Sequence, residues 1–312
     1  MKTFAVLAAV AAAIAAPVAA LADPSFSHAG ITVGTLGNPF FVPLVQGAKD
    51  GLQASNPKVD VTVVGADYDL NKQASQIENF IQLGAKVIII NAVDAMAVKP
   101  FVAKAKASGA VVAAMDVTAD GSDLTVMTNN VQAGEIACDD LSTRLGGKGD
   151  VVIINGPPIS SIMDRVKGCK QAFAKHPGIK ILSDDQDGKA SRDGGLNVMQ
   201  ALLIRYKKID AVFGANDPTA IGADLAARQL HRNEMIIAGV DGSPDIVASL
   251  KSGNSRIVSS ASQDPYSMAR KAAEMAVALL DGKKPAQQVT MLDTKLVTKE
   301  NVGSYVGWDA KR

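Results

Sequence analysis

Short runs of β-branched and other apolar residues alternate along this chain with longer stretches in which apolar positions recur at helical spacing. Four strand candidates come first, at Ile31–Leu36, Val59–Gly65, Val87–Asn91 and Val111–Asp116. Four more follow at Val151–Asn155, Ile179–Ser183, Ala211–Ala215 and Ile236–Val240. Val87-Ile88-Ile89-Ile90 and Val151-Val152-Ile153-Ile154 are apolar at every position, as parallel strands buried on both faces require. Between strands, Asn71–Leu83 places Ala74, Ile77 and Ile81 at i, i+3 and i+7, one face of a helix. Gly84 and Gly109 punctuate helix ends, where a left-handed residue favours glycine. Strand–helix alternation repeated in two series predicts an α/β molecule of two doubly wound parallel-sheet lobes.

Leu124–Thr128 has strand character but falls between the two series, so it reads as a crossover between lobes. Ile257–Ser262 and Met291–Val297 are further extended segments, separated by a helix over Pro265–Asp281. More than one crossing makes a hinge rather than a loose tether. No low-complexity linker or short-period repeat interrupts the pattern.

The first residues stand apart from this alternation. Lys2 precedes an apolar run from Phe4 to Ala16, and Ala20-Leu21-Ala22 is a small-x-small site before Asp23. That is the pattern of a secretory signal peptide cleaved after Ala22, and the run is shorter than the roughly 20 residues a spanning helix needs. Export to the periplasm is the expectation. About 290 residues then remain, which suits two domains.

Composition narrows the partners. Lys plus Arg (32) nearly balances Asp plus Glu (31), so no global field attracts nucleic acid or an acidic membrane. The two cysteines, Cys138 and Cys169, reach an oxidising compartment after export. Neither has a Cys-x-x-Cys or Cys/His spacing that would hold zinc, which leaves one disulfide or two buried thiols. Both fall on expected helices of the second lobe, Val131–Leu145 and Met163–Ala174, and a disulfide between them is the expectation.

Ligands of open α/β sheets bind beyond the carboxyl ends of the strands. Gly37-Asn38-Pro39-Phe40-Phe41 follows the first strand, Asn91 the third and Asp116 the fourth. In the second series the positions are Asp164-Arg165, Asn216-Asp217-Pro218 and Asp241-Gly242-Ser243-Pro244, with Gln263-Asp264-Pro265 after the next extended segment. Taken singly, Asn and Asp at such turns are commonly helix caps, and Asp217-Pro218 and Ser243-Pro244 read that way. As a set, the amides, carboxylates and Arg165 offer acceptors and donors for hydroxyl groups. Phe40 and Phe41 add an apolar face. The constellation suits a neutral polyhydroxylated ligand, whereas a phosphate would call for Gly-rich nests and more cations.

Several of these stretches resemble one family. Asn38-Pro39-Phe40-Phe41, Ile89-Ile90-Asn91, Gly195-Leu196-Asn197-Val198-Met199-Gln200, Asn216-Asp217 and Val240-Asp241-Gly242-Ser243-Pro244-Asp245 are similar to stretches of the ribose-binding-like type I periplasmic sugar-binding proteins of bacterial ABC importers. The similarity runs from about Ile31 to about Val297. It implies that Asn38, Phe40, Phe41, Asn91, Asp116, Arg165, Asn216, Asp241 and Gln263 line a sugar site. It also implies a three-stranded hinge, with crossings near Asn129-Asn130, Asp264 and Leu292. The division expected is a signal peptide over 1–22, an N-terminal lobe of 23–128 plus 264–291, and a C-terminal lobe of 129–263 plus 292–312. The chain departs from ribose-binding proteins at Val117, where they carry an arginine, and at Ala190 and Val240, where they carry ring-stacking phenylalanines. A different pentose, a hexose, a cyclitol or an open-chain polyol therefore fits the expectation as well as ribose.

The implied activity is delivery of the bound molecule, by a monomer, to the permease subunits of an ABC transporter. A sensor presenting the sugar to a chemoreceptor or sensor kinase shares every one of these features. An enzyme is disfavoured, with no catalytic, metal or cofactor site expected. Gly-x-Gly-x-x-Gly, Walker A, His-Glu-x-x-His and Gly-x-Ser-x-Gly patterns are all missing from the sequence. A repressor of this fold would carry a helix-turn-helix headpiece before Ile31, where this chain has its leader.

Overall fold

The computed structural model describes residues 26–308 and 310; the expected leader at 1–22 lies outside them. The described chain begins with β1 (His28–Val33), α1 (Phe41–Ser55), β2 (Asp60–Gly65) and α2 (Leu70–Gln82). It continues through β3 (Val87–Ile90), α3 (Lys99–Ala107), β4 (Val111–Met115) and β5 (Leu124–Thr128). A second series runs α4 (Asn130–Arg144), β6 (Lys148–Asn155), α5 (Ser160–Ala174), β7 (Gly178–Asp187) and α6 (Arg192–Arg205). β8 (Ala211–Gly214), α7 (Asp217–Gln229), β9 (Ile236–Asp241), α8 (Pro244–Lys251) and β10 (Ile257–Ser262) complete it. The chain then passes through α9 (Pro265–Leu280), β11 (Val289–Leu292) and β12 (Leu296–Thr298).

These strands form two six-stranded sheets, ordered β11-β5-β4-β3-β1-β2 and β12-β10-β9-β8-β6-β7. All neighbours are parallel except β12, which runs antiparallel to β10. The two sheets share one plan, with the second strand of each at the far edge. The chain passes from one sheet to the other after β5, after β10 and after β11.

The continuously apolar strands are explained by burial on two sides. In β3, Val87 and Ile89 enter the core shared with α1 and α9, while Ile88 and Ile90 enter the core under α2 and α3. In β6, Val151 and Ile153 face α4 and α5, and Val152 and Ile154 face α6 and α7. Each such side chain contributes about 1.5–3 kcal/mol on leaving water.

Two segments differ from the sequence reading. Leu124–Thr128 is not merely a crossover but the fifth strand of the first sheet, buried at all five positions between β4 and β11. Met291–Val297 is not one extended segment. It divides into β11 and β12, which pair with different sheets.

Helices α4 and α5 pack unusually closely. A β-carbon on Gly134 would come within 1.8 Å of the Arg165 carbonyl, and one on Gly168 within 1.9 Å of the Val131 carbonyl. Only glycine admits that approach. Cys138 on α4 and Cys169 on α5 are joined by the expected disulfide, with Cα atoms 5.0 Å apart. This clamp fixes the α5 backbone at Arg165.

Candidate ligand-binding site

At the carboxyl edge of the first sheet, Asn91 follows β3 and Asp116 follows β4. Asn91 Oδ1 accepts from the Gly34 N–H at 3.1 Å, and its Nδ2 donates to Asp116 Oδ2 at 2.8 Å. Asp116 adopts φ +69°, a left-handed conformation uncommon for a non-glycine residue and frequent at ligand sites. Burial pushes its carboxyl up to about 6, with the Asp241 carboxylate adding to the rise and Arg165 and the Asn91 bond opposing it. Asp116 Oδ1 takes part in none of these bonds.

At the facing edge of the second sheet stands Arg165, on α5 and only 4% exposed. Its Nε donates to Asn130 Oδ1 at 2.9 Å, and its Nη1 to the Ala215 carbonyl and Asp241 Oδ1, both at 3.1 Å. Nη2 is left over. Asp241 ends β9 at φ +147°, a second strained non-glycine position. Its Oδ1 also accepts from Gln263 Nε2 at 2.8 Å, and its Oδ2 from the Asp217 N–H at 3.3 Å. Burial raises the Asp241 carboxyl while Arg165 and Gln263 pull it down. Gln263 Oε1 in turn accepts from Thr128 Oγ1 at 2.8 Å, which ties the end of β5 in the first sheet to the second.

The structure thus joins five of the nine expected residues, Asn91, Asp116, Arg165, Asp241 and Gln263, through hydrogen bonds or the field between the two lobes. The other four lie around them. Asn38 is exposed, caps its own turn by accepting from the Phe40 N–H at 3.0 Å, and lies close enough to the Tyr68 hydroxyl to act on it. Phe40 and Phe41 are 9% and 5% exposed and pack edge-on in the first-lobe core, with Phe40 also 5.5 Å from the Trp308 ring. Asn216 is the N-cap of α7, accepting from the Thr219 N–H while its Nδ2 donates to the Ala190 carbonyl.

Sequence reasoning missed several partners. Asp217 is not the cap that its Asp-Pro context suggests; Asn216 fills that role. Asp217 is buried, and its carboxylate accepts from the Ser243 N–H at 2.7 Å and Ser260 Oγ at 2.6 Å. Burial and the neighbouring Asp241 push it up to about 7. Asn130 and Thr128 hold Arg165 and Gln263 through contacts 35 and 135 residues apart in sequence, a separation no local pattern reports. Trp308 donates its indole N–H to the Gln263 carbonyl at 3.1 Å. Tyr68 could have been noticed as one of few aromatics just beyond a strand.

Asp241 bonds the Arg165 guanidinium and Asp116 lies within its field, and a buried pair of this kind gives little net stability by itself. Asp116 Oδ1 and Arg165 Nη2 remain to accept from and donate to a guest. No cluster of metal-binding side chains exists among the described residues. The family model of the periplasmic binding protein domain matches residues 29–284. The chain belongs to that family. As a periplasmic binding protein it is 32% identical over 273 residues to the ribose import binding protein of Bacillus subtilis, a match covering 87% of each chain. It is 32% identical over 237 residues to the xylitol-binding protein of Mycolicibacterium smegmatis, covering 75% of this chain and 67% of that one. An ABC transporter solute-binding protein from Bacillus halodurans, solved with bound myo-inositol, aligns at TM-score 0.82 and 25% identity, covering 91% of this chain and 98% of that one.

Proposed function

We infer that this periplasmic binding protein captures a small neutral sugar, sugar alcohol or cyclitol between its lobes and delivers it to the permease of an ABC importer. The observation that carries the reading is the Arg165–Asp241–Gln263 network facing Asp116. It is a fixed lattice of acceptors and donors, with one oxygen and one N–H group to spare and a balance that suits hydroxyl groups. The ligands named for the relatives, ribose, xylitol and myo-inositol, are all uncharged and polyhydroxylated.

The nine residues Asn38, Phe40, Phe41, Asn91, Asp116, Arg165, Asn216, Asp241 and Gln263 are assigned to the site, the central five by direct contact. Phe40 and Phe41 act from its buried flank. Lobe boundaries at 128/129, 263/264 and 291/292 put the three passages between sheets at the hinge. The leader pattern of residues 1–22 supports export to the periplasm with cleavage after Ala22, and the exported protein acts as a monomer. No catalytic step is assigned to the site.

A thermal-shift screen of the mature protein against pentoses, hexoses, pentitols and cyclitols tests this. A ligand at 100 times its dissociation constant adds about 2.7 kcal/mol, a rise of roughly 4–5 °C for a chain of this size. A panel that moves the melt nowhere contradicts the reading.

A further inference from the structure

The turns that follow the two edge strands are counterparts. β2 leads into Asp67-Tyr68 and β7 into Lys189-Ala190, and both pairs are left-handed at successive residues, with φ +52° and +57° in the first and +53° and +48° in the second. Left-handed conformation is uncommon outside glycine, asparagine and aspartate, and is more unfavourable still for a bulky residue. Strain of this kind survives where the surroundings impose it, and it gathers at ligand sites. The Tyr68 N–H is held by the Gly34 carbonyl at 2.9 Å, and Asp69 caps α2 through the Asn71 and Lys72 N–H groups. The turn is therefore fixed on both sides of the tyrosine.

Tyr68 is no core residue, being 63% exposed. Its ring lies against Gly34, where an added β-carbon would stand 2.7 Å from Cε1. Gly34 in turn donates to Asn91. The hydroxyl lies close enough to Asn38 and Asp116 for both to act on it, Asn38 favouring and Asp116 opposing its ionisation. The ring thus stands at the carboxyl edge of the first sheet, beside Asn38, Asn91 and Asp116. At the counterpart position in the second lobe, Ala190 presents only a methyl group. Of these two counterpart turns, only the first-lobe one carries an aromatic ring.

We propose that Tyr68 is a specificity-determining ligand contact, its ring packing on the C–H face of the polyhydroxylated guest and its hydroxyl, with Asn38, reading a hydroxyl at the guest's rim. An amphipathic ring with a polar tip is suited to such a molecule. The inference rests on the function proposed above. It adds that Tyr68, rather than Ala190 at the counterpart turn, supplies the ring contact.

Calorimetric titration of wild type, Tyr68→Gly and Tyr68→Phe with D-ribose, D-allose, xylitol, ribitol, myo-inositol and glycerol tests it. Tyr68→Gly should weaken the best ligand at least ten-fold while the unliganded melting temperature holds or rises, because glycine relieves the left-handed strain. Tyr68→Phe keeps the ring and should reorder the panel with a smaller loss. Dissociation constants within two-fold of wild type for both variants, in unchanged order, overturn the proposal and leave the functional reading standing. A wild type that binds none of the six overturns that reading, and this inference with it.

Discussion

Asp116 and Asp217 each lie in the field of Asp241, which pairs with Arg165, and their surroundings give the three different tasks. Asp241 is bonded to Arg165 and Gln263 and receives the Asp217 N–H. Deleting its carboxylate strands a buried arginine, at a cost of about 3–5 kcal/mol, so its truncation harms folding as well as binding. Asp217 lies behind it on Ser243 and Ser260. The Asp217 carboxyl is pushed from 3.8 up to about 7. Between those values the folded protein holds a proton that the unfolded chain has lost, so this group adds stability as pH falls through 7 and withdraws it as pH rises. Melting wild type and Asp217→Asn from pH 8 to pH 5 should show a smaller gain toward acid in the variant. Identical pH slopes would contradict a raised Asp217. Sequence pointed to Asp116 and Asp241 because each follows a strand at the carboxyl edge, and to Arg165 because it lies on the helix that follows Asn155. It misread Asp217 because an Asp-Pro pair looks the same whether the aspartate caps a helix or supports another carboxylate.

Strands were legible where their burial is two-sided, since β3 and the Val151–Ile154 stretch of β6 leave no polar position to interrupt the apolar run. β5 was ambiguous because its place was inferred from sequence order. It joins the first sheet by pairing with β4, and its other edge is covered by β11, about 160 residues later, through Val289–Leu292 and Thr125–Thr128. The division of Met291–Val297 into β11 and β12 was invisible for the same reason, as one apolar stretch serves two sheets. The α4–α5 pair was foreseen through its cysteines, but the glycine contacts that bring the helices together carry no periodic signal. The Cys138–Cys169 bond closes a loop of sequence separation 31, worth about 3–4 kcal/mol in the chain-entropy model. A Cys138→Ser/Cys169→Ser variant should melt earlier by that order while the Gly134 and Gly168 contacts keep Arg165 in place and ligand affinity within a few-fold. An unchanged melt would mean that the bond adds nothing to the clamp.

Across the whole molecule, the two sheets repeat one plan, and the proposed site lies where their carboxyl edges meet. Three passages of chain join the lobes, and the Thr128–Gln263 bond crosses between them beside the site. The C-terminal stretch adds to the junction. Trp308 packs on the first-lobe core and on Phe40 while holding the Gln263 carbonyl, and the Tyr305 hydroxyl donates to the Gly242 carbonyl in the second lobe. First-lobe and second-lobe groups must therefore both touch the guest if the cleft is the binding site. Asp116 is the sharpest probe, because among the described residues its side chain hydrogen-bonds only Asn91 and its buried charge is a burden to the empty protein. Replacing it with asparagine removes that charge and turns a ligand acceptor into a donor. Calorimetric titration of Asp116→Asn with the sugar or polyol that wild type binds should give at least a ten-fold weaker dissociation constant, about 1.4 kcal/mol or more, with an unliganded melt equal to or above wild type. Wild-type affinity in Asp116→Asn would contradict a guest held between these two lobes.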